Sequence, residues 1–139
     1  MRAVVRRNSE DSARIRASAL HDMLKRLSDL SRAGTEIALL NYAVLEHANG
    51  GASDDFLIDV IRNASDIMDI MSESEDLVSE SDRENIRSAV ARLKSISSGL
   101  SQNAMKDMYD QILILNSAYD LMISNAIERL KNISESSAD

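Results

Sequence analysis

Apolar residues recur along this chain at steps of three and four, the spacing that places side chains on one face of an α-helix. The first series comprises Leu20, Met23, Leu27, Leu30, Gly34, Ile37, Val44 and Ala48, with Asn41 as its polar member. Asn8 or Ser9 can cap the start of this helix. The series therefore predicts one long helix over residues 9–48, in which Gly34 marks either a close helix approach or a kink.

Turn and capping residues divide the next part of the chain into two further helices. Asn49, Gly50 and Gly51 end the first helix, because glycine commonly follows a helix C-terminus. Ser53 caps a second helix, whose apolar stripe is Leu57, Ile61, Ala64, Ile67, Met68 and Met71. The acidic, serine-rich stretch 72–81 is either a frayed helix end or a loop. The sequence Ser-Asp-Arg-Glu at 81–84 fits a capping box and predicts that a third helix begins there.

The end of the third helix leaves two alternatives. Either the chain breaks at Ser98 and Gly99 and a helix restarts at Ser101, or one helix runs from 82 to about 133. Two series, offset by one residue, cross this region. One includes Asp107, Gln111, Ile114, Ala118 and Leu121; the other is Met105, Met108, Ile112, Leu115, Tyr119, Met122 and Ala126. The run 112–115 is apolar on every side, which predicts a helix central to a bundle or at a dimer interface.

The composition supports an all-α fold. The 139 residues contain no proline, no cysteine and only four aromatic side chains, so a β-sandwich or barrel is excluded. We expect one domain over residues 1–139, an elongated antiparallel helical bundle of the four-helix type, with disordered tails at 1–8 and 134–139. The chain has more helix than it can wrap around one narrow seam, which predicts a homodimer. Its shared core is expected to include Leu113, Ile114 and Leu121.

Charge and hydropathy narrow the choice of partners. Residues 1–32 carry a net charge of +4 and residues 33–139 a net charge of −11. An acidic body argues against nucleic acid as the main partner. The basic start is either a solvated helix end or a contact for an acidic partner. The chain shows no membrane-spanning run and no secretory signal, and we expect a cytoplasmic protein.

Few residue combinations in this chain could support catalysis. Two histidines, no cysteine and no glycine-rich phosphate loop leave little material for a catalytic triad or a P-loop. Asp66 and Asp69 share a helix face but lack further ligands, so no metal site and no cofactor are expected. Asp107 and Gln111 are four residues apart, which places their side chains next to each other on a helix.

The Asp-x-x-x-Gln spacing of Asp107 and Gln111, followed by the apolar stretch 112–115, resembles the signature of the CheZ family of chemotaxis phosphatases. That family removes the phosphoryl group from an aspartate of a CheY-like response regulator in two-component signalling. The resemblance implies that Gln111 orients the attacking water and that Asp107 engages a lysine of the regulator. It also implies that the receiver domain supplies its own Mg²⁺. We expect Met108 and Ile114, on the same helix, to contact that partner.

Two other interpretations of these residues stay open. Asp107 and Gln111 can instead be polar positions in a helix seam that fix its register, as expected for a non-catalytic helical adaptor. His21, followed by Asp22, resembles the phosphoacceptor box of histidine-kinase dimerisation helices and makes a phosphotransfer module the other alternative. Solvent exposure of Asp107 and Gln111 discriminates between the phosphatase and the adaptor. An exposed pair favours the phosphatase, and a buried pair favours the adaptor.

Overall fold

The computed structural model describes residues 2–96 and 100–138, and the side chains of residues 10–96 and 100–135. It contains four helices in these ranges: α1 (Arg2–Ala48), α2 (Asp54–Ser72), α3 (Glu80–Lys94) and α4 (Gln102–Ala138). The described residues form no strand. The predicted all-helical fold is therefore confirmed.

Serine side chains cap the two central helices. The backbone N–H of Phe56 donates to Ser53 Oγ at 3.2 Å, which confirms the predicted start of α2. The predicted start of α3 at Ser81 was wrong, because Ser79 is the cap. The Ser79 hydroxyl accepts from the backbone N–H of Asp82 at 3.2 Å and donates to the Asp82 carboxylate at 2.8 Å. The chain between α2 and α3 is a loop, residues 73–79.

The two long helices have different limits from those predicted. α1 begins at Arg2, so the predicted start near Ser9 was wrong. Three of the seven residues 2–8 are arginine, which has high helix propensity, and the helix continues past the candidate caps. α4 likewise includes residues 134–138, which were assigned to the tail.

α3 and α4 are separate helices. α3 ends at Lys94, and α4 begins after Ser101, whose Oγ accepts from the backbone N–H of Ala104 at 3.2 Å. The predicted break and restart is thus the alternative that the structure bears out. Ser98 and Gly99 themselves lie outside the described residues.

The helices pack as a bundle around a methionine- and leucine-rich core. α1 packs on α2 and α4, and α3 packs on the same two helices. The core side chains of α1 are Met23, Leu30, Ala33, Ile37, Leu40 and Ala43. The predicted stripe of α2 is confirmed, because all six of its members are buried. Burial of these side chains is the main source of stability for such a bundle.

Only one of the two series on α4 points into this core. Met108, Ile112, Leu115, Met122 and Ala126 are buried, and Met105 and Tyr119 are partly buried. The offset series faces sideways and outward: Gln111 is buried, Asp107 and Ala118 are half-buried, and Ile114 and Leu121 are exposed. Of the two predicted positions for this helix, the centre of the bundle does not fit, because α4 leaves one apolar flank uncovered. A dimer interface stays a prediction.

Gly34 marks a close helix approach. A Cβ atom at this position would collide with the phenolic oxygen of Tyr119, so the glycine makes room for the Tyr119 side chain between α1 and α4. Asn41 lies two turns after Gly34 on α1, and Asn116 lies one turn before Tyr119 on α4. Their side-chain amides exchange hydrogen bonds of 2.8 and 3.0 Å. Asn41, the polar member of the first series, thus pairs across the same helix contact.

Charged and amide side chains from the long helices hold the α2–α3 loop in place. The Asp76 carboxylate forms ion pairs with Arg26 at 2.9 Å and with Arg129 at 3.5 Å. The side-chain amide of Asn125 donates to the carbonyl oxygen of Leu77 at 2.7 Å. These contacts fix the buried Leu77 against α4, and they shape the surface described below.

Candidate functional site

Asp107 and Gln111 lie on the flank of α4 that faces α3. The helix geometry brings them together as predicted: Gln111 Nε2 donates to Asp107 Oδ1 at 3.1 Å. Arg92, near the end of α3, places its Nη1 atom 3.6 Å from the same carboxylate oxygen. The three side chains form a short polar chain across the α3–α4 contact.

Burial differs sharply between the two members of the pair. Gln111 is only 4% exposed, whereas the Asp107 side chain is 46% exposed. This buried amide already uses one of its N–H groups to donate to a neighbouring carboxylate inside the protein. Positioning a water against a phosphoryl group on another protein would require the Gln111 amide to reach the surface. This arrangement is therefore the one expected of a polar seam position.

The two residues that were expected to contact a partner have different environments. Met108 is a core side chain with no exposed surface, because it lies seven residues before Leu115 on the inward side of α4. That prediction is corrected accordingly. Ile114 is 38% exposed and lies on the outer flank of α4. It remains available to a partner.

An apolar groove runs along the α3–α4 surface beside Ile114. Its volume is about 290 Å³. The α2–α3 loop, α3 and α4 contribute its lining, of which the large apolar members include Leu77, Val78, Ile86, Leu113, Ile114 and Leu121. Leu113 and Leu121 are 65% and 40% exposed, and together with the groove they form one exposed apolar patch. The three residues predicted for a dimer core are thus all at the surface and line one groove.

The sequence pattern did not predict that the α2–α3 loop and α3 contribute side chains to this groove. Leu77 and Val78 are an apolar pair inside the otherwise acidic, serine-rich stretch 72–81, and this interruption was the available signal. Ile86 is a buried side chain of α3. Its role as the groove floor depends on how α3 packs against α4.

The histidines lie away from the Asp107–Gln111 pair. His21 is exposed on α1, next to an exposed Asp22. His47, at the end of the same helix, contacts the Asp54 carboxylate through Nε2 at 2.5 Å. This contact ties the end of α1 to the start of α2. His47 therefore has a structural role at this turn.

Electrostatic features elsewhere are those of a solvated surface. Lys94 Nζ lies 2.7 Å from Asp66 Oδ1, and this hydrogen bond raises the pKa of Lys94 above its ordinary value. Within residues 2–96 and 100–138, no three histidine, aspartate or glutamate side chains come together as metal ligands. Over the same ranges, no helix combines the length and apolarity that a membrane span requires.

Comparison of the chain with protein-family models, with curated proteins and with solved structures gave no match. The functional argument consequently depends on the residues of this chain and their geometry.

Proposed function

We propose that this chain is a non-catalytic, dimeric helical adaptor that acts by binding other proteins. The observation that carries the proposal is the contrast in exposure between two side chains of α4. Gln111, the residue that catalysis would need at the surface, is 4% exposed, whereas Leu113 is 65% exposed. Exposed apolar side chains that line one groove are typical of interaction surfaces.

The helix contacts also support an antiparallel arrangement of the bundle. On α1 and α4, Gly34 lies near Tyr119, whereas the later residue Asn41 bonds the earlier residue Asn116. Rising numbers on one helix thus accompany falling numbers on the other. Short connections of five to seven residues between helices favour the same arrangement.

A CheY-like receiver domain is the partner that we propose for this adaptor. Its supporting feature is the Asp107 carboxylate, which keeps 46% of its side chain exposed although it contacts Gln111 and Arg92. An exposed carboxylate can accept a hydrogen bond from a lysine ammonium group of the receiver without any catalytic step. The expected localisation is the cytoplasm, where such receivers act.

Titration calorimetry with an activated receiver domain tests this proposal. The receiver, loaded with Mg²⁺ and beryllofluoride, should bind the wild-type chain, and Asp107→Ala should weaken binding about tenfold, equivalent to about 1.4 kcal/mol. Asp59→Ala, which removes an exposed carboxylate from α2, is the matched control and should bind like the wild type. Equal affinity of all three proteins would contradict the assignment of Asp107.

A response-regulator phosphatase is the second candidate function. It is favoured by the 3.1 Å hydrogen bond between Gln111 and Asp107, which places both motif residues on one helix flank. In that case Gln111 would leave the seam when the receiver binds, and the chain would accelerate phosphate release. The phosphotransfer alternative concerns His21 instead. It predicts that the wild-type chain carries acid-labile phosphate and that His21→Gln abolishes it.

A further inference from the structure

The outer face of α4 carries exposed residues whose spacing is the same in both directions, with one leucine on each side of a central serine. Seven residues follow one another at steps of 4, 3, 4, 4, 3 and 4, with Ser117 in the middle. We refer to them as the α4 stripe: Lys106, Asp110, Leu113, Ser117, Leu121, Ser124 and Glu128. All seven are exposed. Steps that average close to 3.6 keep these side chains on one narrow face of the helix.

A pattern of this kind is what a two-fold symmetric helix pair requires. In such an interface residue i contacts residue j of the second copy, and j contacts i in return. When two copies of α4 run in opposite directions about Ser117, position 106 meets position 128, position 110 meets 124, and position 113 meets 121.

Each of these pairs is chemically complementary. Lys106 meets Glu128, a cation against an anion. Asp110 meets Ser124, an acceptor against a hydroxyl donor. Leu113 meets Leu121, the two exposed leucines of the helix. The small side chain of Ser117 at the centre allows the two helices to approach closely.

We propose that a second copy of this chain occupies the outer face of α4, antiparallel and centred on Ser117. This inference rests on the proposed dimeric adaptor, because it specifies how the dimer forms. Leu121 also lines the apolar groove, so Leu113 of the second copy packs at the groove edge and removes apolar surface from water. The match of Lys106 to Glu128 selects a second copy over a uniformly basic or acidic helix.

Cysteine cross-linking tests the register directly, because the chain contains no cysteine of its own. At a helix separation of 8–10 Å, the two Cα atoms at position 117 lie about 3–6 Å apart, which overlaps the range that a disulfide bridges. Ser124→Cys is the matched control, an exposed serine of the same stripe. Its two copies would lie about 21 Å apart, given a rise of 1.5 Å per residue over 14 residues.

We expect Ser117→Cys to form a covalent dimer on mild oxidation and Ser124→Cys to stay uncross-linked at the same concentration. Circular dichroism melting checks that both variants keep the fold. Equal cross-linking of the two variants would overturn the register. A strictly monomeric wild-type chain in sedimentation equilibrium at tens of micromolar would overturn the dimer itself.

Charge reversal provides a second, non-covalent test. Lys106→Glu places two like-charged pairs in its own dimer, and so does Glu128→Lys, so each variant should self-associate about three- to tenfold more weakly. A one-to-one mixture restores both opposite-charge pairs and should associate like the wild type. Failure of the mixture to recover would contradict the pairing. These measurements are independent of receiver binding and phosphate release. The dimer geometry can therefore fail while the assignment of receiver binding stands, and the assignment of receiver binding can fail while the dimer geometry stands.

Discussion

Replacement of Gln111 measures whether this residue is a structural seam position. Gln111→Ala removes the 3.1 Å hydrogen bond to Asp107 and leaves space where a 96% buried side chain was packed. The lost hydrogen bond costs about 1 kcal/mol, and the lost packing about the same again. Asp107 is half-exposed and regains water, so no buried unpaired charge adds to this loss. We expect a total destabilisation of about 2 kcal/mol.

The assay is thermal and urea unfolding followed by circular dichroism. For a domain of this size, 2 kcal/mol corresponds to a fall in Tm of about 6–8 °C. Gln111→Met retains most of the side-chain volume and should lie within about 1 kcal/mol of the wild type. Gln102→Ala is the control, since Gln102 is the other glutamine of the chain and is exposed at the start of α4. A Gln111→Ala protein as stable as the Gln102→Ala protein would refute the reasoning.

Three further outcomes follow from particular contacts. Gly34→Ala should cost about 1 kcal/mol less stability in a Tyr119→Phe background than in the wild type, because the phenolic oxygen that meets the new Cβ is gone. If a double-mutant cycle measured by urea unfolding showed additive effects, this contact would be refuted. Ser53→Ala should lower stability by about 1 kcal/mol through loss of the α2 cap, and an unchanged Tm would contradict the cap. Because Asp66 raises the pKa of Lys94 in the folded state, Lys94→Met should cost a few tenths of a kcal/mol at neutral pH, and this cost should disappear as the pH rises through the raised pKa of Lys94. A cost that persists above that pKa would contradict the ion pair.

Local signals in the sequence located most of the helices. The cap at Ser53 and the glycines at 50 and 51 mark the turn between the first two helices, because capping and positive φ angles depend on a few adjacent residues. Gly50 indeed has φ +79°. The predicted start of α3 was wrong because Ser79 and Ser81 each precede an acidic residue by three positions, Asp82 and Glu84 respectively. Only the observed bond to Asp82 distinguishes them.

The orientation of α4 could not be derived from its sequence. Both of its offset series are rich in apolar residues, so periodicity alone does not say which series faces the core. Packing decides it: Tyr119 fits against Gly34, and Asn116 pairs with Asn41, a residue 75 positions away. This rotation buries Gln111 and leaves Ile114 outside. The exposure of the candidate site residues thus depends on long-range contacts rather than on the motif itself.

Phosphate release from a CheY-like receiver is the most direct test of whether this chain is an adaptor or an enzyme. The receiver is phosphorylated in the presence of Mg²⁺, and release is followed with and without the wild-type chain or its Gln111→Ala variant, each checked for folding. The account predicts the same rate of phosphate release in all three reactions, because the Gln111 amide stays in the α3–α4 seam. Release that the wild-type chain accelerates, and that Gln111→Ala returns to the receiver's own rate, would contradict it.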